Sequence, residues 1–134
     1  MAGRLFFIQD DLMFSERLHA TAARLGVTAN AISPDAANTR TWEPADVVVL
    51  QATLRPERQL RLVDELLHRE PQPIVVAVTG HLETELRRRL KRMGARLAAH
   101  SAMDRALARA LEVSADDAGG ADDARDQAPR RVPD

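Results

Sequence analysis

Ala45-Asp46-Val47-Val48-Val49-Leu50-Gln51 is the stretch on which the reading of this chain turns. Its apolar run shows none of the polar alternation of a strand with one wet face, so it reads as a strand covered on both sides, as in a parallel sheet wrapped by helices. The same pattern recurs on either side of it. Leu5-Phe6-Phe7-Ile8 runs into Gln9-Asp10-Asp11, and Ile74-Val75-Val76-Ala77-Val78 runs into Thr79-Gly80.

Between these runs the period changes to that of a helix. Phe14, Leu18, Ala22 and Leu25 fall on one face, with Gly26 placed to cap in a left-handed conformation. Val27 to Ile32 reads as a weaker strand, and Ser33-Pro34-Asp35 opens a short, poor helix before Pro44. Pro56 opens a helix burying Leu60, Val63, Leu66 and Leu67, which Pro71 and Pro73 stop. A further helix carries Leu82, Leu86, Leu90 and Met93 up to Gly94; a strand follows from Arg96 to Ala99, and a last helix holds Met103, Leu107 and Leu111.

Five strands alternating with about five helices predict an α/β fold. Right-handed crossovers and short connections favour an open, doubly wound parallel sheet with helices on both faces, of the flavodoxin-like order 2-1-3-4-5. Function in such sheets sits at the carboxyl ends of the strands, where Gln9, Asp10, Gln51, Thr79 and Ser101 are expected.

At 134 residues, with 45% apolar and 29% charged residues, one domain with a real core is expected, over residues 1–113. Ser114 to Asp134 has three basic against six acidic residues and few apolar ones, and is expected to be a disordered acidic tail that serves solvation. The net charge of −1 argues against a general nucleic-acid or membrane-surface binder. Trp42 and three phenylalanines are the whole aromatic set, too few for a base-stacking platform. There is no cysteine, no apolar run near the roughly 20 residues of a membrane span, and no signal-peptide pattern at the start, so a soluble cytoplasmic protein is expected.

Over residues 4–111 the chain resembles the receiver domain of bacterial two-component response regulators, a CheY-like fold. The likeness rests on Phe6-Phe7-Ile8-Gln9-Asp10-Asp11, Ala45 to Gln51, Pro73 to Gly80, and Met93-Gly94-Ala95, in that order and spacing. The resemblance implies an acidic pair binding magnesium at Gln9 and Asp10, an aspartate nucleophile at Gln51, a threonine at Thr79, a lysine at Ser101 and an aromatic switch residue at Ala98.

Of these, Asp10 and Thr79 are retained. A glutamine is no substitute for an ionised carboxylate nucleophile, and Val47 to Pro56 contains no acid. One carboxylate with neutral amides holds magnesium poorly. Ser101 carries no charge to pair with a phosphoryl group, and the chain's one lysine, Lys91, lies within a helix. The resemblance therefore implies a degenerate pseudo-receiver without aspartyl phosphorylation. We expect no enzymatic activity, no cofactor and no metal, and a role as an interaction or regulatory module in signal transduction.

Two other constellations stand out. His81 and His100, past the fourth and fifth strands, could join Asp10 in a metal or small-ligand site, but their spacing matches no motif and surface or capping histidines are favoured. Arg87, Arg88, Arg89, Lys91, Arg92 and Arg96 form a basic cluster after Glu83 and Glu85, which reads first as a helix complementing its dipole, with Glu83–Arg87 and Glu85–Arg89 as exposed pairs. The resemblance makes the fourth and fifth helices a face for a protein partner or a homodimer, with Arg88, Arg92, Arg105 and Arg109 as the cations presented.

Overall fold

The structure, a computed structural model, describes residues 3–112. Five parallel strands, β1 (Leu5–Ile8), β2 (Ala29–Ile32), β3 (Val47–Gln51), β4 (Ile74–Thr79) and β5 (Arg96–Ala99), form one sheet in the order β2-β1-β3-β4-β5. The helices are α1 (Leu12–Leu25), α2 (Pro34–Thr39), α3 (Pro56–Leu67), α4 (Thr84–Met93) and α5 (Met103–Leu111). This is the doubly wound order expected from the unbroken apolar runs.

The period of two along each strand sorts the core into two layers. Leu5, Phe7, Val47, Val49, Val76 and Val78 point to one face, where Phe14, Leu18 and Leu25 of α1 and Leu107 and Leu111 of α5 cover them. Phe6, Ile8, Val48, Leu50, Val75 and Ala77 point to the other, against Leu60, Val63 and Leu66 of α3 and Leu90 of α4. Trp42 joins this second layer, its ring edge-on to Phe6 at 5.1 Å between centroids. Gly26 and Gly94 end α1 and α4 at φ of 74° and 109°, a conformation that a Cβ would strain.

Local departures have physical reasons. The edge strand β2 begins at Ala29 rather than Val27, and none of its residues is fully buried, since only β1 covers its flank. On α3 the buried face includes Gln59 and Leu62, while Leu67 is half-buried. Leu82 belongs to no helix: it is 80% exposed in the β4–α4 turn, where Glu83 and Thr84 bond back to Gly80 and Leu82. Leu90 is left as the one fully buried residue of α4, flanked by half-buried Leu86 and Met93. The expected acidic tail lies outside the described residues. Among those residues no helix is long and apolar enough to cross a membrane.

Candidate functional site

In-register pairing of β1, β3 and β4 brings Gln9-Asp10, Gln51-Ala52 and Thr79-Gly80 to one edge of the sheet, where Ala52 N donates to Val78 O at 2.9 Å. Four of the five sequence-predicted residues, Gln9, Asp10, Gln51 and Thr79, stand at this edge. Ser101 does not stand at a strand end. β5 stops at Ala99, and Ser101 is exposed in the 3₁₀ turn His100–Ala102 that follows.

Asp10 is the buried charge of this edge, its side chain 7% exposed. Pro56, at the amino end of α3, sets the direction in which that helix leaves β3, so that its first turn delivers Arg58 and Gln59 to the Asp10 carboxylate. The Arg58 guanidinium pairs through Nη2 with Oδ1. Gln59 Nε2 donates to Oδ2 at 2.7 Å and to the backbone carbonyl of Gln51 at 2.8 Å. A buried carboxylate is tolerated when it is paired and hydrogen-bonded, and here both oxygens are engaged by the chain itself.

These residues fit magnesium poorly. The cation would have to expel Arg58 to reach Asp10; Asp11 spends Oδ1 on capping α1 and has one oxygen, Oδ2, without a partner, and the other side chains at hand are the amides of Gln9 and Gln51. A guanidinium stands where the resemblance implies a metal.

Thr79 is fully buried, and its Oγ1 accepts from Arg87 Nη1 at 2.8 Å. The exposed i,i+4 pairs expected on α4 do not form. Glu83 turns inward, its Oε2 accepting from Thr53 Oγ1 at 2.7 Å and from Gly80 N at 2.8 Å. Arg88 pairs instead with Glu85, and Arg89 reaches Glu57 of α3 at 3.6 Å. The Thr53 hydroxyl and the Gly80 N–H give Glu83 two directed bonds, and Thr79 gives Arg87 a buried acceptor, where a solvent-screened pair on the helix surface contributes little.

Asp10, His81 and His100 do not converge. Among the described residues no three His, Asp or Glu side chains are grouped as a metal could hold them, and His81 is exposed in the β4–α4 turn. His100 lines an open crevice of about 430 Å³ with Asp11, Met13, Arg17, Gln51 and Leu54. Of the proposed partner face, Arg88 and Arg92 are exposed on α4 and Arg109 on α5, Arg105 is half-buried, and Arg105 and Arg109 each make interactions of their own.

Two side chains at this edge, Arg58 and Gln59, escaped the sequence reading, and Glu83 and Arg87 were read only as an exposed pair on the helix. Gln59 left a trace, because it precedes Val63 by four and Leu66 by seven, which puts an amide in a buried stripe that must find partners. Arg58 left none, being one arginine among many at a polar helix start.

No protein-family model matches the sequence, and no curated protein matches it. Solved structures do. A response regulator from Colwellia psychrerythraea superimposes with a TM-score of 0.64 at 13% identity, over 84% of this chain and 98% of that one. The receiver domain of NtrX from Brucella abortus gives 0.64 at 23%, over 82% and 99%. The receiver domain of a sensor histidine kinase from Pseudomonas aeruginosa, solved with a magnesium ion coordinated in its active site cleft, gives 0.63 at 13%, over 84% and 99%. With the strand order and the sheet-edge crevice already described, this likeness establishes the fold: the chain is folded as a receiver domain.

Proposed function

We propose that this chain is a phosphorylation-independent pseudo-receiver, a non-enzymatic, cytoplasmic protein-interaction or regulatory module in bacterial two-component-type signalling. The observation that carries the reading is the saturation of Asp10 by Arg58 and Gln59. With Gln51 at the end of β3, that position offers no carboxylate nucleophile, and Asp10, held by Arg58 and Gln59, is not free to ligate the metal that aspartyl phosphorylation requires. A scaffold with no nucleophile at Gln51 and with Asp10 held by its own side chains is suited to presenting a surface. The surface proposed is α4 with α5, where Arg88, Arg92, Arg105 and Arg109 offer cations to an acidic protein partner or to the acidic groups of a second copy; nucleic acid and membrane are not proposed as partners.

The test is an amide NMR titration with magnesium and beryllofluoride, a mimic of the aspartyl phosphoryl group. Unmoved resonances at Gln9, Asp10, Gln51, Thr79 and Ser101 are the expected result, and saturable shifts there reject the reading. A small-ligand domain is the second reading, favoured by the 430 Å³ crevice beside His100, which is in the size range of small-molecule sites.

A further inference from the structure

Glu83 sits three residues past Gly80 in the turn that leads into α4, and one of its oxygens joins two loops. Oε2 accepts from the backbone N–H of Gly80 in its own turn and from the hydroxyl of Thr53 in the β3–α3 loop, 30 residues away in sequence. The approach is close enough that a Cβ on residue 80 would stand 2.9 Å from that oxygen. The next turn of the helix adds a second tether, Arg87 to the hydroxyl of buried Thr79, while Arg87 N donates to Glu83 O at 3.0 Å. Hydrogen bonds to an ionised acceptor are about twice as strong as neutral ones.

The rest of α4 gives these tethers their importance. Its apolar contacts lie at Leu86, Leu90 and Met93, of which only Leu90 is fully buried, so the first residues of the helix, Thr84 and Glu85, are exposed and make no core contact, and segments held by few buried apolar contacts open most readily. Its amino end is therefore positioned by polar bonds to the sheet edge.

We infer that Glu83 is an internal anion ligand: its carboxylate fills an oxyanion cradle formed by Gly80 N and Thr53 Oγ1, latches α4 in place, and closes that cradle to external carboxylate or phosphate groups. The inference uses none of the atoms around Asp10 and stands whether or not the pseudo-receiver reading holds. Its consequence is that α4 keeps one position without waiting for an anion to arrive.

The experiment is native-state hydrogen exchange with amide NMR on the full chain, comparing wild type, Glu83→Ala and Thr53→Val. Glu83→Ala is expected to speed exchange of the α4 amides about tenfold, the equivalent of one charge-assisted hydrogen bond, and to move the Gly80 amide resonance. Added acetate or inorganic phosphate should then saturably restore both in Glu83→Ala while leaving wild type unmoved. Thr53→Val, which keeps the carboxylate and removes one donor, should loosen α4 by a smaller factor and provides the test if Glu83→Ala does not fold. Unchanged α4 exchange in the folded variants overturns the latch, and faster exchange that neither anion reverses overturns the cradle. Magnesium added alone, without beryllofluoride, reads Asp10 and is indifferent to either result.

Discussion

Arg58 illustrates how one side chain changes what a buried acid can do. A carboxylate with 7% of its side chain exposed needs a counter-charge, and the Arg58 guanidinium, itself 30% exposed, supplies it within the chain. Removing one member of a buried pair leaves an uncompensated charge, so Arg58→Met is expected to lower stability by about 2–4 kcal/mol. Adding Asp10→Asn removes the orphaned charge while keeping an acceptor for Gln59, and the double variant should regain more than half of that loss. Denaturant unfolding of the four proteins closes the cycle, and additive losses would mean that the pair is not coupled. The residue at the centre of this arrangement was legible and its partner was not. Gln51 is read directly from where the β3 run ends, whereas the role of Arg58 depends on the angle at which α3 leaves Pro56, which no local pattern encodes.

Among the elements, α1 and α5 are joined by a polar clamp outside the apolar layer they share. Asp104 of α5 accepts from Thr21 Oγ1 at 2.7 Å and from Arg24 Nη2 at 3.0 Å. The hydrogen bond from Arg24 holds the Asp104 carboxyl below its ordinary value of 3.8, with help from Thr21 and against partial desolvation. A depressed pKa in the folded state means that the stabilisation is complete above the unfolded value and is lost as pH falls through the folded one. The stability difference between wild type and Asp104→Asn should accordingly be present at pH 6 and shrink toward zero as the solution is acidified below about pH 4. Because Asp104 is 39% exposed, salt should diminish it as well. A difference independent of pH would assign the effect to packing. None of the three residues of this clamp stands out in the sequence, since 80 positions separate Arg24 from Asp104. The helices themselves were legible where apolar spacing reports real burial, as in α1. The reading failed at Leu82, where the apolar period starts before the helix does, in the turn that Glu83 N closes on Gly80 O.

At the scale of the whole molecule, the five-stranded order was readable because burying both faces of a sheet leaves strand sequences with no polar alternation, a signal that survives at 13–23% identity to the solved receiver folds. What the fold does with its crevice was less readable, because it depends on side chains brought together from α3, α4 and three strand ends. A thermodynamic consequence follows for the entire chain. Any ligand that binds the native state alone stabilises it by RT ln(1 + [L]/Kd), about 2.7 kcal/mol at a hundredfold excess over Kd. In a domain of this size each kcal/mol moves the midpoint of thermal unfolding by roughly 4 °C. A magnesium site of even millimolar affinity would therefore announce itself in tens of millimolar magnesium as a rise of several degrees, reversed by chelator. With Asp10 already neutralised by Arg58 and both its oxygens engaged, the expected midpoint is the same with magnesium, with chelator, and with magnesium plus a small-molecule phosphodonor. A magnesium-dependent rise in wild type that vanishes in Asp10→Asn would show that Arg58 yields its place to the metal, and would return the crevice to receiver chemistry.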